Sequence, residues 1–196
     1  FMDVKVTSVY GGAPITKQIK EIQDRPQIVV GTPGRTLDLI QRRKLRIEDV
    51  QFLVLDEADE MLSMGFQDEL DAILDNTPEH KQTLCFSATM PEGMKHLTKK
   101  YLKDPKEISA GKRNISASNV THELYVVSSK NTYEAMRRIV DFNPNIYGIV
   151  FCRTRRETQS IAEKLVGDGY RAEAIHGDLS QAQRDDVMSR FRRKKL

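Results

Sequence analysis

The feature that most constrains the fold is a repeated switch between two hydrophobic periodicities along the chain. Short apolar runs typical of strands alternate with segments whose apolar residues recur at helical spacing. The predicted strands are Val4–Tyr10, Gln27–Gly31, Phe52–Asp56, Thr83–Ser87, Thr121–Val127, Gly148–Cys152 and Arg171–Ile175. The predicted helices are Pro14–Ile22, Thr36–Arg43, Gln67–Leu74, Pro91–Leu102, Thr132–Phe142, Glu157–Val166 and Gln181–Arg193. Strands alternating with helices of this length predict an α/β fold with parallel sheets and helical cover.

The alternation is interrupted once, between residues 104 and 119. This segment is rich in Ser, Asn, Gly and Pro, which is a composition typical of linkers. We therefore predict two domains, residues 1–103 and 120–196, joined by a linker at 104–119. A chain of 196 residues is short for two complete α/β domains. Since it begins at Phe1 within a predicted strand and ends within a predicted helix, we expect both domains to be incomplete.

The composition excludes several classes of protein. Hydrophobic residues make up 39% and charged residues 30%, so a packed core is expected and disorder is not. No apolar run approaches the roughly 20 residues of a membrane helix, and we expect no membrane contact. Cys85 and Cys152 lie in apolar runs, which predicts two buried reduced thiols rather than a disulfide and favours a cytoplasmic location. No Cys and His spacing typical of a metal site occurs.

The charge is unevenly distributed around a net value of +3. Residues 51–80 contain nine acids and no Lys or Arg, whereas residues 112–196 contain 16 basic and 10 acidic residues. An acidic cluster followed by a basic half suits a cation site combined with a polyanion-binding surface. Two ordinary solvated faces would produce the same pattern, so charge alone leaves the choice open.

Polar segments follow two of the predicted buried strands. Asp56-Glu57-Ala58-Asp59 follows one strand, and ligands gather at the carboxyl ends of strands in α/β sheets. Carboxylates in that position can hold a hydrated Mg²⁺ and orient an attacking water, although an acidic helix start is an equal alternative. Ser87-Ala88-Thr89 follows the next strand, where its hydroxyls can bond to carboxylates or cap a helix.

Two further segments are suited to phosphate binding. Thr32-Pro33-Gly34-Arg35 lies between a strand and a helix, where backbone N–H groups and an arginine can bind phosphate. Gly11-Gly12 allows close approach of the backbone to a phosphodiester. Plain turns explain either segment equally well.

The order of these segments removes the ambiguity, because together they resemble the motifs of the DEAD-box ATP-dependent RNA helicases. The second half continues the match with Ile149-Val150-Phe151-Cys152-Arg153-Thr154, then His176-Gly177-Asp178-Leu179 and Gln181-Ala182-Gln183-Arg184. The resemblance implies two RecA-like parallel-sheet domains, both incomplete, that bind ATP, Mg²⁺ and single-stranded RNA. It also implies a monomeric parent protein, for which protein cofactors are a further expectation.

The resemblance also implies a role for each motif residue. Asp56 would hold Mg²⁺ through water, Glu57 would position the hydrolytic water, and Asp59 would contact the serine–threonine motif. Ser87, Ala88 and Thr89 would couple the state of ATP to strand separation. The expected RNA-binding residues are Gly11, Gly12, Thr32, Pro33, Gly34, Arg35, Arg153, Thr154, Gly177, Asp178, Gln181 and Arg184. Contacts to sugar and phosphate predict binding that depends on salt and little on sequence. His176 is expected to be a structural hydrogen-bonding residue.

The sequence departs from the family in lacking Gly-x-x-x-x-Gly-Lys-Ser/Thr, the loop that cradles phosphates. The resemblance places this loop before Phe1 and the late arginine motif after Leu196. We therefore expect an ATP-driven parent helicase, a chain that does not turn over ATP by itself, and exposed apolar sheet surface. The alternatives are a helicase-like RNA-binding scaffold without hydrolysis and a DNA helicase or translocating nuclease subunit with the same core.

Overall fold

The computed structural model describes residues 3–109 and 120–196 of the chain. The chain divides into two compact units, Phe1–Val120 and Thr121–Leu196. From residue 110 onward, the linker predicted at 104–119 lies outside the described residues, and the predicted domain boundaries stay a prediction. Within the described residues, no helix is both long and apolar enough to cross a membrane.

The first unit begins with a parallel strand pair. Strand β1 (Val6–Val9) pairs in parallel with β2 (Ile28–Gly31), and helix α1 (Ile15–Gln23) connects them. Helix α2 (Pro33–Gln41) follows β2 and begins three residues earlier than predicted, because Pro33 fits the first turn of a helix. Among the described residues this pair forms a sheet of two strands.

A second parallel pair carries the acidic segment. Strand β3 (Phe52–Leu55) pairs with β4 (Gln82–Cys85) in parallel register. The connection contains α3 (Ala58–Ser63), which the sequence did not predict, and α4 (Gln67–Asp75). Helix α5 (Glu92–Tyr101) follows β4, with Pro91 at its N-cap. The carboxyl ends of β3 and β4 are therefore neighbours, as the parallel arrangement requires.

Two apolar clusters hold the first unit together. One cluster lies under β3, with buried residues from β3, α3, α4 and α5: Leu55, Ala58, Leu70, Leu74, Met94 and Leu97. The other lies under β1, where buried Val9, Leu39 and Leu45 pack with partly buried isoleucines of α1. Each amphipathic helix buries its apolar stripe against the strands, which is the usual source of helical stability in a protein.

The opposite faces of both strand pairs are exposed. Phe52 and Phe86 are 62% and 54% exposed, and Val6, Val30 and Val54 are each more than half exposed. The exposed apolar sheet surface expected from the sequence is therefore present. Strands β3 and β4, which were predicted as buried strands, are covered on one face only within the described residues. An open apolar sheet face favours self-association, which stays a prediction.

The second unit contains three α-helices in its described residues. They are α6 (Thr132–Phe142), α7 (Arg155–Gly167) and α8 (Gln181–Arg192), with a 3₁₀ turn at Ser129–Asn131 before α6. Helix α7 begins two residues earlier than predicted because the Thr154 hydroxyl accepts a hydrogen bond from the Glu157 N–H. Ser180 and Gln183 form a reciprocal capping box at the start of α8.

The strands predicted at Thr121–Val127, Gly148–Cys152 and Arg171–Ile175 are not formed in the described part of the second unit. A strand exists only when a neighbouring segment completes its backbone ladder, and no ladder joins these three segments to one another. Their apolar side chains are correspondingly exposed, with Phe151 at 92% and Val126 at 90%. Cys85 and Cys152 are free thiols as predicted, but each is partly rather than fully buried.

Candidate functional site

The first candidate site lies at the carboxyl end of β3. Asp56 and Glu57 are both exposed there, and the Glu57 N–H donates to Asp56 Oδ1 at 3.0 Å. Glu57 adopts a left-handed backbone with φ of +51°, which turns the chain sharply from β3 into α3. Non-glycine residues seldom adopt this conformation, and such strain is concentrated at functional sites. The turn projects two adjacent carboxylates beyond the strand end.

The chain after this turn is tied to the end of β4. Ala58 is completely buried, and its N–H donates to the Phe86 carbonyl at 3.1 Å. The Phe86 N–H in turn donates to the Leu55 carbonyl at 2.7 Å, continuing the ladder beyond the two strands. A larger residue at position 58 would have to displace the apolar cluster under β3. Backbone hydrogen bonds therefore hold the segment after β3 and the segment after β4 side by side at the same edge of the sheet.

Asp59 links the acidic segment to the serine–threonine segment through its side chain. Its Oδ2 accepts hydrogen bonds from the Thr89 N–H at 2.9 Å and from the Thr89 hydroxyl at 2.6 Å. The Ser87 hydroxyl donates to the Thr89 carbonyl at 2.5 Å, and exposed Ala88 lies between them. The structure thus contains the contact expected between Asp59 and this segment, while the coupling role of Ser87, Ala88 and Thr89 stays a prediction.

Asp59 remains ionised in this environment. The hydrogen bond from the Thr89 side chain is the largest cause that lowers the pKa of the Asp59 carboxyl, and the nearby Ser87 hydroxyl and the Thr89 backbone N–H act in the same direction. Burial of the carboxyl opposes them, since burial penalises a charge, but the net effect is a lowered pKa. Asp59 Oδ1 is buried and has no hydrogen-bond partner within the described residues. The Asp59 carboxylate is therefore a buried anion that, among these residues, accepts hydrogen bonds through Oδ2 only.

The donors at the end of β3 fit a hydrated magnesium ion. Mg²⁺ prefers carboxylate, phosphate and water oxygens, and it typically takes only one or two ligands from the protein. Exposed Asp56 and Glu57 supply this minimal set. The described residues contain no cluster of three or more metal-ligating side chains. The arrangement suits an ion shared with a phosphate ligand.

The glycine pair and the Thr32–Arg35 segment lie close together in the first unit. Gly12 has φ of +80° in the exposed turn after β1, a conformation that favours glycine. Arg35 donates from Nη1 to the Ala13 carbonyl at 3.2 Å and to Gln18 Oε1 at 2.9 Å. The Thr32 N–H donates to the Val9 carbonyl at 3.0 Å, which extends the β1–β2 ladder.

The remaining two residues of that segment differ in exposure. Pro33 is buried at the start of α2, so its ring is unsuited to contact with a ligand. Gly34 is partly exposed, and a Cβ atom placed on it would meet no atom within 4 Å. The open space above Gly34 leaves the start of α2 accessible to a phosphate group.

Two of the predicted RNA-binding residues of the second unit, Thr154 and Asp178, line an open cavity of about 690 Å³. Asp178 forms an ion pair with Arg155, and Thr154 caps α7 beside them. The lining includes Thr154, Arg155, Arg156, Gln159, His176 and Asp178. His176 accepts from the Asp178 N–H at 3.3 Å and contacts Gln159 Oε1 at 3.2 Å, which agrees with a structural hydrogen-bonding role, and that role stays a prediction.

The other predicted residues in this unit are engaged within the chain. Arg184 Nη2 donates to the Gly177 carbonyl at 3.2 Å, and Gln181 Nε2 donates to Asp185 Oδ1 at 2.9 Å. The Arg153 N–H donates to Glu157 Oε2 at 3.0 Å, and the residue is exposed. Asp178 and Thr154 thus line the same cavity, whereas Gly177 and Gln181 are not among the residues that line it.

Sequence reasoning missed two residues that the structure places at these sites. Gln18 is 4% exposed and joins the glycine turn to Arg35, and its signal was a polar residue on the apolar face of α1. Arg155 pairs with Asp178 and lines the cavity, and its signal was its position directly after Thr154.

Comparisons with known proteins define the class to which these sites belong. Residues 1–97 match the family model of the DEAD/DEAH box helicases, and residues 131–196 match that of the helicase conserved C-terminal domain. The chain is therefore a helicase-type α/β protein. It belongs to the DEAD-box helicase family, and the resemblance drawn from the ordered motifs is confirmed.

Similar proteins agree with this assignment. The DEAD-box ATP-dependent RNA helicase CshA of Bacillus cereus (strain ATCC 10987 / NRS 248) is 41% identical over 189 residues, which is 96% of this chain and 36% of that protein. CshA of Streptococcus pneumoniae serotype 4 is 43% identical over the same shares of the two proteins. The chain thus spans little more than a third of the length of these relatives.

Solved structures support the predicted fold class. A DEAD box protein from the hyperthermophile Methanococcus jannaschii is 43% identical, with a TM-score of 0.54 over 99% of this chain and 52% of that one. Saccharomyces cerevisiae Dbp5 bound to RNA and ADP BeF3 is 22% identical, with a TM-score of 0.83 over 99% of this chain and 49% of that one. The α/β fold class of RecA-like domains, with small parallel sheets in the first unit, is therefore confirmed.

Proposed function

We propose that this chain carries the carboxylate, coupling and RNA-contact segments of an ATP-dependent RNA helicase that unwinds RNA duplexes locally. The observation that carries the proposal is the bond pair between Asp59 Oδ2 and Thr89. It connects the strand end that bears Asp56 and Glu57 to the segment Ser87–Thr89. A displacement of one segment is therefore transmitted to the other through these hydrogen bonds. A helicase requires such a connection between its nucleotide and its nucleic-acid site.

In this proposal the two exposed carboxylates act on the nucleotide. Asp56 holds Mg²⁺ through water, and Glu57 orients the water that attacks the γ-phosphate of ATP. When bound, the ion neutralises charge that develops on the phosphates. The left-handed turn at Glu57 fixes the direction of both side chains relative to β3. Asp59 is directed away from this chemistry, since its Oδ2 is committed to Thr89.

We assign RNA binding to groups on each unit that can contact the sugar–phosphate backbone of RNA. In the first unit these are Gly11, Gly12, Thr32, Gly34 and Arg35, and in the second they are Arg153, Thr154, Gly177, Asp178, Gln181 and Arg184. Arg155 joins the second set because it lines the cavity together with Thr154 and Asp178. Dbp5, which shares this fold, was solved with RNA. These groups suit sugar and phosphate, so the binding is expected to be independent of sequence.

The cellular setting follows from the same reasoning. Two free thiols, Cys85 and Cys152, suit a reducing compartment, and we place the protein in the cytoplasm. We expect the whole protein to act as a monomer on RNA and to recruit protein cofactors through segments outside this chain.

The test is nucleic-acid-stimulated ATP hydrolysis by the full-length protein that contains this chain. We expect single-stranded RNA to stimulate turnover and DNA of the same sequence to fail as a competitor, because the 2′-hydroxyl distinguishes them. Equal stimulation by DNA would instead support a DNA helicase or a translocating nuclease subunit. RNA binding without any turnover would support the non-hydrolysing scaffold.

A further inference from the structure

Gln18 is a polar residue in an apolar position. It lies in α1 on the face shared with Ile15, Ile19 and Ile22, which pack against the cluster under β1. Its exposed fraction is 4%, so the amide is almost completely removed from water. A buried amide is unfavourable unless its hydrogen-bonding groups are satisfied. The hydrogen-bond partners of Gln18 should therefore explain why a glutamine occupies this buried position.

Both ends of the Gln18 amide form hydrogen bonds, one with the turn after β1 and the other with helix α2. Nε2 donates to the Tyr10 carbonyl at 3.0 Å, and Oε1 accepts from Arg35 Nη1 at 2.9 Å. The same Arg35 nitrogen donates to the Ala13 carbonyl at 3.2 Å. Tyr10 and Ala13 flank the glycine pair on either side. Gln18 and Arg35 thus fasten both ends of the Gly11-Gly12 turn to the first turn of α2.

This bridge leaves part of the guanidinium available to a ligand. Both contacts of Arg35 use Nη1, and an arginine carries five N–H donors. Within the described residues, Nε and Nη2 of Arg35 form no hydrogen bond. Gln18 itself is too buried to touch a ligand, so any effect it has on binding must pass through Arg35 and the glycine turn.

We propose that Gln18 is a positioning residue for RNA binding, which fixes the glycine turn and Arg35 at the spacing that a single RNA backbone requires. The inference rests on the proposed RNA-binding function. Its physical basis is pre-organisation: a surface already held in its binding geometry does not lose conformational entropy again when the ligand arrives. Loss of the bridge lets the turn and Arg35 move independently, and RNA affinity falls without any loss of a direct contact.

The test uses Gln18→Met in the full-length protein, since methionine matches the length and volume of glutamine but removes both hydrogen bonds. Gln23→Met is the matched control, because Gln23 ends the same helix and is exposed. A second variant, Gln18→Glu, keeps the acceptor for Arg35 and replaces only the donor to the Tyr10 carbonyl. RNA-stimulated ATP hydrolysis and fluorescence anisotropy with single-stranded RNA are the readouts.

We expect Gln18→Met to raise the Kd for RNA and the RNA concentration for half-maximal stimulation by about tenfold, which is the scale of the cost of immobilising one long side chain on binding. The turnover rate at saturating RNA stays unchanged, as does nucleotide affinity without RNA. Gln18→Glu gives an intermediate RNA affinity, and Gln23→Met behaves as wild type. If Gln18 only supported the fold, Gln18→Met would lower the free energy of unfolding. It would not selectively raise the RNA concentration for half-maximal stimulation while the turnover rate at saturating RNA stayed unchanged.

Several outcomes overturn the inference, and they are distinguishable from failure of the proposed function. Wild-type RNA affinity in both folded Gln18 variants refutes the positioning role alone. Should Gln18→Met not fold, Gln18→Glu decides, and wild-type RNA affinity in that variant refutes the role. Absence of RNA binding by the wild-type protein refutes the proposed function and, with it, this inference.

Discussion

The substitution Thr89→Val isolates the side-chain bond on which the account depends. Valine has the shape of threonine but removes the hydroxyl that donates to Asp59 Oδ2 at 2.6 Å, while the backbone N–H bond at 2.9 Å remains. A hydrogen bond to a charged group contributes about 1.5–3 kcal/mol. Because Thr89 is exposed and one bond survives, we expect a loss of about 1–2 kcal/mol in the free energy of unfolding near neutral pH.

The loss of stability in Thr89→Val should also depend on pH, in a direction set by the pKa of Asp59. The pKa of Asp59 is lowered in the folded protein, chiefly by the Thr89 hydroxyl, so its stabilising contribution is present above the unfolded value of 3.8. The contribution disappears as the pH falls through the folded pKa and the carboxyl becomes protonated. The stability difference between wild type and Thr89→Val should therefore be largest near neutral pH and should shrink below about pH 4.

Urea unfolding of the full-length protein, followed by far-ultraviolet circular dichroism, measures this difference. This chain contains no tryptophan, so tryptophan fluorescence does not report directly on it, whereas circular dichroism follows its helices. Thr89→Ser keeps a hydroxyl and is the control, expected to lie close to wild type. Equal stability of wild type and Thr89→Val near neutral pH, or a difference that grows in acid, would refute the reasoning.

Two further substitutions test the packing and the second unit. Gly31→Ala should lower the free energy of unfolding by about 1–3 kcal/mol in urea unfolding, because its Cβ would lie 2.2 Å from Thr36 Oγ1 and 2.7 Å from Val9 Cγ2. Gly34→Ala, which meets no atom within 4 Å, should not be destabilising, and equal losses would contradict the packing argument. Arg155→Ala should change stability by less than about 1 kcal/mol, because its ion pair with Asp178 is exposed. The same variant should reduce the slope of log Kd for RNA against log salt by about 0.7, measured by anisotropy titration; an unchanged slope excludes a phosphate contact. Arg138→Ala on α6, another exposed ion-paired arginine, is the control.

The sequence predicted the parts of the fold that depend on local patterns. The four strand positions in the first unit and the starts of α4 and α6 agree with the structure, because alternation and helical spacing are local signals. Helix α3 was missed because it is only six residues long and directly follows the turn at Glu57. The three strands predicted in the second unit were wrong in the described structure because pairing depends on a partner segment that a local pattern does not reveal.

The candidate site shows the same division between local and long-range information. The contact between Asp59 and Thr89 was expected from the resemblance to the helicase family, and the neighbouring carboxyl ends of the parallel strands β3 and β4 explain it. The Arg35–Gln18 bond and the Arg155–Asp178 pair join residues 17 and 23 positions apart, and they depend on how the helices pack. Motifs identify which residues carry chemistry, whereas their supporting partners become visible only in three dimensions.

Hydrolysis of ATP by the full-length protein with Glu57→Gln tests the central claim most directly. Glutamine keeps the size of the side chain but removes the charge that orients the attacking water, so RNA-stimulated turnover should fall by about 10²-fold or more. RNA binding should persist, since no contact to RNA is assigned to Glu57. Wild-type turnover in this variant would contradict the assignment of the carboxylate segment as the hydrolytic site.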